Sequence, residues 1–163
     1  MLRLPILYAL FLLHLLGSVM GVAVSRFCSV DVFSSVGQGS LRVVIGGNLL
    51  YFAAIVLLSR LRFGFAAIPL ILLWKGFSLT TAVCVMKRVV EVNYMTLLIR
   101  IAMPTVLQMI GLFYLSAVVI FCAVQRLIGS FGKENVVQLK RGLLGAVLTS
   151  ALSVIFAWII YSG

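Results

Sequence analysis

"FGFAAIPLILLWKGFSLTTAVCVM", residues 63–86, carries one charged side chain, Lys75, near its middle. As a helix rising 1.5 Å per residue it is about 36 Å long, enough to cross roughly 30 Å of hydrocarbon. A run of this length and composition reads as a membrane span. A positive charge halfway along it is the feature to be explained.

The same pattern recurs on both sides. Apolar runs of span-like character cover residues 4–24, 43–58, 105–124 and 143–161. Hydrophobic residues make up 64% of the chain and charged residues 10%, with a mean hydropathy of +1.27. Soluble domains run at about 45–50% apolar and about 25% charged. These values point to an all-α integral membrane protein, a single transmembrane domain over 1–163 with five transmembrane helices. Span one resembles a signal peptide in its Arg3 start, but its apolar core exceeds the roughly 7–15 residues of a secretory h-region. It is expected to stay as a first helix.

Three polar segments separate the spans. "SRFCSVDVFSSVGQGSLR", residues 25–42, is rich in Ser and Gly and reads as a loop. "QRLIGSFGKENVVQLKRG", residues 125–142, reads as a second polar loop. "KRVVEVNYMTLLIRIAMP", residues 87–104, holds an apolar stretch too short to span, interrupted by Glu91 and Arg100. A half-helix over 91–103, interfacial or re-entrant, is expected there. Pro104 ends it or kinks the chain into the next span.

The net charge is +10, from 13 Lys and Arg against 3 Asp and Glu. The cations stand singly or in pairs between apolar runs, as in Arg60 with Arg62 and Lys140 with Arg141. There is no aromatic-interleaved basic patch, so membrane lipids and topology explain them and nucleic acid does not. Near the span ends, seven cations fall on the face of the N-terminus and five on the other. That bias places the N-terminus in the cytoplasm.

"SRLRFG", residues 59–64, joins spans two and three so tightly that they are expected to form an antiparallel hairpin. Asn48 and Lys75 are equally distant from the centre of that turn, about 20 Å along each helix. They are therefore candidates to meet near mid-membrane, with His14 at comparable depth on span one. A lysine at the centre of a span costs about 2.5–3.5 kcal/mol on insertion scales. None of the spans contains an acid. Lys75 reads either as a packing charge or docking point for a partner's acid, or as part of a proton or ion relay. Gln108, one turn into span four, reads as a capping or bridging residue. Gly17, Gly21, Gly46, Gly47, Gly76 and Gly111 read as close helix-packing positions, with Gly17 and Gly21 forming a GxxxG pair. Ala146, Ser150, Ser153 and Ala157 give span five a small-residue face.

No HExxH, P-loop or GxSxG motif is present. No cysteine or histidine cluster has metal-ligand spacing, so neither a metal nor another cofactor is expected. An enzyme is not expected either.

The order of these features resembles the stage II sporulation protein M family of bacterial membrane proteins. The matching stretches are "LLGSVMG" at 15–21, "GGNLLYFAAIVLLSRLRFGFAAIPLILLWKGFSL" at 46–79 and "MPTVLQMIG" at 103–111. Members often have His-Gly and then a glutamate after the proline, where this chain has Thr105, Val106 and Gln108. They often have a small or neutral polar residue where Lys75 stands. The resemblance implies a non-enzymatic scaffold in the bacterial plasma membrane, part of the peptidoglycan-remodelling machinery of sporulation and engulfment. Its expected partners are other membrane proteins or cell-wall hydrolases, with a homo-oligomer as the alternative. The competing expectation, from the residues alone, is a small permease or transporter membrane subunit with a polar path at Lys75, Asn48 and His14.

Overall fold

The computed structural model describes residues 3–27, 41–61, 63–89 and 103–162. Every regular element among them is helical: α1 (Arg3–Ser25), α2 (Leu41–Leu58), a 3-10 turn (Gly64–Ala67), α3 (Ile68–Val89), α4 (Met103–Leu127) and α5 (Lys133–Ser162). Four stretches are long and apolar enough to cross a membrane: Leu4–Ser25, Gly64–Val85, Pro104–Leu127 and Lys133–Phe156. The fifth helix, α2, contributes a shorter apolar stretch, Leu49–Leu58. The protein is an all-α membrane protein. The expected half-helix at 91–103 lies outside the described residues, except for Met103, which begins α4. The loop bearing Asp31 also lies outside them.

Two boundaries differ from expectation for local reasons. Span three does not begin as α-helix at Phe63. Proline at 69 has no N–H, and its ring would strike the carbonyl of residue 65 in a continuous helix. The chain therefore turns through a 3-10 segment and starts α3 at Ile68, with Pro69 in the tolerated first turn. The second difference is α5, which starts ten residues before the expected span, inside the stretch read as polar loop. Only residues 128–132 form the turn. Gly129, at φ 78°, ends α4. The Ser130 N–H donates to the Gln125 carbonyl and the Gly129 N–H to the Arg126 carbonyl, a Schellman cap that requires this left-handed residue. Glu134 then stands in the first turn of α5, where a carboxylate favours the helix dipole.

The helices associate as two tight pairs, α1 with α3 and α4 with α5. In the first pair the backbones nearly touch. A Cβ at Gly17 would collide with the Leu73 carbonyl, one at Gly21 would lie 2.6 Å from the Phe77 carbonyl oxygen, and one at Gly76 would collide with the His14 carbonyl. Residue numbers rise together across the contact, so α1 and α3 run parallel. The Thr81 hydroxyl closes the pair, within 3.4 Å of the Gly21 carbonyl and 2.8 Å of the Phe77 carbonyl. In the second pair the numbers run oppositely. Gly111 faces Thr149 and Ala146, and Ser153 donates to the Pro104 carbonyl at 2.7 Å. Ala146, Ser150 and Ser153 are buried in this contact face. The side chain of Ala157 lies outside the described residues.

α2 and α3, joined by the short turn, meet through Tyr51 and Lys75. The two helices touch only lightly, while α2 also leans on α4 and α5. The glycine-bearing face of α3 is taken by α1. At Gly46 a Cβ would meet nothing within 4 Å among the described residues. Gly47 and Asn48 lie on α2, but their side chains are outside the described residues.

The core is centred on α4, with 56% of its membrane window buried against 17% for α1 and for α5. Leu115 of α4 belongs to one buried cluster with Ile55, Ile68 and Leu72, and Val118, also fully buried, lies against Gly142 of α5. Outward faces carry residues such as Leu12, Val19, Leu144 and Leu148, the composition that lipid tails require.

Gly17→Leu is expected to lower stability in detergent by about 1–3 kcal/mol or more, because backbone atoms cannot yield. Gly46→Ala should leave the thermal midpoint unchanged, within about 0.5 kcal/mol. Equal losses at both positions would contradict this packing.

Candidate functional site

One turn of α3, Leu72 to Gly76, gathers the polar groups at the centre of the bundle. The His14 Nδ1 lies 3.1 Å from the Leu72 carbonyl oxygen. A carbonyl only accepts, so this bond requires the proton on Nδ1, leaving Nε2 of the neutral ring as an acceptor. The ring reaches this carbonyl because Gly76 has no side chain. A Cβ there would sit 2.9 Å from the same nitrogen. Phe113 of α4 closes the other side, edge to face with the imidazole at 5.5 Å between centroids. Ser18, one turn along α1, returns its hydroxyl to the His14 carbonyl at 3.1 Å and adds no free donor.

Lys75 is buried, 8% exposed. Its Nζ sits 4.4 Å from the centre of the Tyr51 ring on α2. A desolvated cation–π contact contributes about 2 kcal/mol, against the insertion cost of about 2.5–3.5 kcal/mol for the charge. The aromatic face thus offsets most of what burial costs. Lys75 thus meets α2 as expected, at Tyr51, while the Asn48 side chain lies outside the described residues.

Gln108 is buried on α4, 5% exposed, and its Oε1 has no hydrogen-bond partner among the described residues. The bridging role expected for it is therefore not made through that oxygen. Ser116, fully buried on the same helix, is in the same condition at its Oγ.

The site combines an ammonium, an imidazole and an aromatic ring. Of the chain's three acids, Asp31 and Glu91 lie outside the described residues and Glu134 is exposed at the start of α5. Among the described residues no three His, Cys, Asp or Glu side chains are grouped to hold a metal ion. The ammonium is packed against the Tyr51 ring, and the imidazole is held by one backbone carbonyl. Compared with known protein families, curated proteins and solved structures, the chain matches none.

A double-mutant cycle tests the Lys75–Tyr51 contact. Tyr51→Leu should cost about 1–2 kcal/mol of unfolding free energy, and Tyr51→Phe should cost much less. In a Lys75→Met background the Tyr51→Leu cost should shrink by most of that amount. Strict additivity of the two changes would contradict the contact.

Proposed function

We propose that the protein is a non-enzymatic membrane scaffold that holds partner proteins at the bacterial plasma membrane, with its N-terminus in the cytoplasm. The observation that carries this reading is the use made of the central polar groups. His14 is spent on the Leu72 carbonyl and Lys75 on the Tyr51 ring, so both lock helices together. The resemblance to the stage II sporulation protein M family gives the scaffold its class of work: recruitment of peptidoglycan-remodelling proteins, as in engulfment. Two cavities, of about 390 and 210 Å3, open near the α2–α3 turn, and neither is lined by Lys75, His14 or Gln108.

The second reading is a permease subunit, supported by the unpartnered Gln108 Oε1 in the bundle core. An aligned acceptor of that kind is what a polar path through α4 would use.

Isolation from native membranes in mild detergent discriminates the two. The scaffold reading expects a cell-wall hydrolase or a second membrane subunit to co-purify in fixed ratio. A partner-free chain, together with solute or ion flux in vesicles that Lys75→Met abolishes, would overturn it in favour of the permease.

A further inference from the structure

At the α2–α3 turn end of the bundle, three helices part to leave an open cleft of about 390 Å3. Three cations reach it from three separate elements: Arg60 from the turn after α2, Arg126 from the last turn of α4 and Lys140 from the second turn of α5. Among the described residues, the lining contains no acid. Away from this charged mouth the wall is apolar, formed by Leu115, Val119 and Leu143. Leu115 lies eleven residues before Arg126 on the same helix, so the wall extends about 16 Å from the charge towards the membrane interior. Arg126 is held by its face, with its guanidinium carbon 4.8 Å from the centre of the Phe131 ring. A guanidinium stacked in this way keeps its N–H edges for a planar or tetrahedral oxyanion. A second, smaller cavity borders the same arginine and is otherwise lined by Leu61, Ala123 and Leu127.

We propose that this cleft is a binding site for an anionic phospholipid, its phosphate held by Arg60, Arg126 and Lys140 and an acyl chain lying along Leu115, Val119 and Leu143. The pairing follows from the two halves of the cleft. Three cations lining one cleft, with no carboxylate among its described lining residues, repel one another until an anion enters, and the nearest abundant anion at a membrane surface is a lipid phosphate. A soluble phosphate would satisfy the mouth but leave the apolar wall uncovered, whereas a lipid covers both. Arg126, shared between the two cavities, is the centre of the site. The site stands whether the protein is a scaffold or a permease subunit, because no residue of the central Lys75 cluster takes part.

The test uses the full chain, delipidated in neutral detergent and titrated separately with phosphatidylglycerol, phosphatidylcholine and inorganic phosphate. Native mass spectrometry reads the bound lipid, and thermal unfolding reads the stabilisation it confers. The expected result is saturable retention of phosphatidylglycerol, clearly weaker phosphatidylcholine binding and no stabilisation by inorganic phosphate at the same concentration. Arg126→Gln and Lys140→Gln should each weaken phosphatidylglycerol binding about fivefold. Lys140→Arg should preserve it and so show that the fold is intact. Lys87→Gln, at the far end of α3, should leave it unchanged. Equal binding of the two lipids, saturation by inorganic phosphate alone, or an equal loss from Lys87→Gln and Arg126→Gln would overturn the proposal.

Discussion

The rest of the bundle depends on the close approach of α1 and α3. Helices in lipid gain nothing by hiding apolar surface from one another, so their association rests on packing, small residues and hydrogen bonds. Here Gly17 and Gly21 on one helix, and Gly76 on the other, bring backbone against backbone. That approach has two consequences. It carries His14 to within hydrogen-bond distance of a carbonyl on α3. It also occupies the glycine face of α3, leaving Lys75 to be met from α2 by Tyr51.

Around this pair the second hairpin supplies the mass of the core. α4 is enclosed by its neighbours, and small residues on α5 let it lie close, through Gly111 against Thr149 and Ser153 against the Pro104 carbonyl. The two pairs meet where Phe113 packs on Phe11 and His14. The central charge is thereby walled in by aromatic and apolar groups. At the α2–α3 turn the helices separate, and three cations line a cleft. The bundle thus has a closed polar centre and an open, positively charged rim.

Much of this was legible in the sequence, within limits set by physics. The apolar runs announced membrane helices because hydrocarbon thickness fixes their length. The GxxxG pair announced a close contact, but glycines reveal that a neighbour comes near and not which one. At Gly46 no described residue comes within 4 Å of where a Cβ would stand, so the same glycine signal is equally compatible with open space. The depth of Lys75 was readable from the turn, and Tyr51 on α2 meets it; the side chain of Asn48, the partner the depth suggested, lies outside the described residues. The start of α5 was hidden by composition. Charged residues after Gly132 read as loop, yet Lys133 to Gly142 is helical and leads directly into the apolar stretch. The unsatisfied Gln108 Oε1 could not be foreseen, since satisfaction depends on neighbours from other helices.

The central claim is that α1 lies directly against α3 with His14 bonded to the Leu72 carbonyl. The chain contains a single histidine, so its ring nitrogens are spectroscopically unique. Solid-state NMR dipolar recoupling in bilayers, with 15N-histidine and leucine labelled at the carbonyl 13C, measures the separation directly. The account predicts strong dephasing of the Nδ1 signal, from a carbonyl carbon within about 4.5 Å given the oxygen at 3.1 Å. A Leu72→Ile variant keeps the carbonyl but removes its label, and most of that dephasing should disappear. Dephasing that is weak, or unchanged in the variant, would contradict the contact on which the rest of the structure depends.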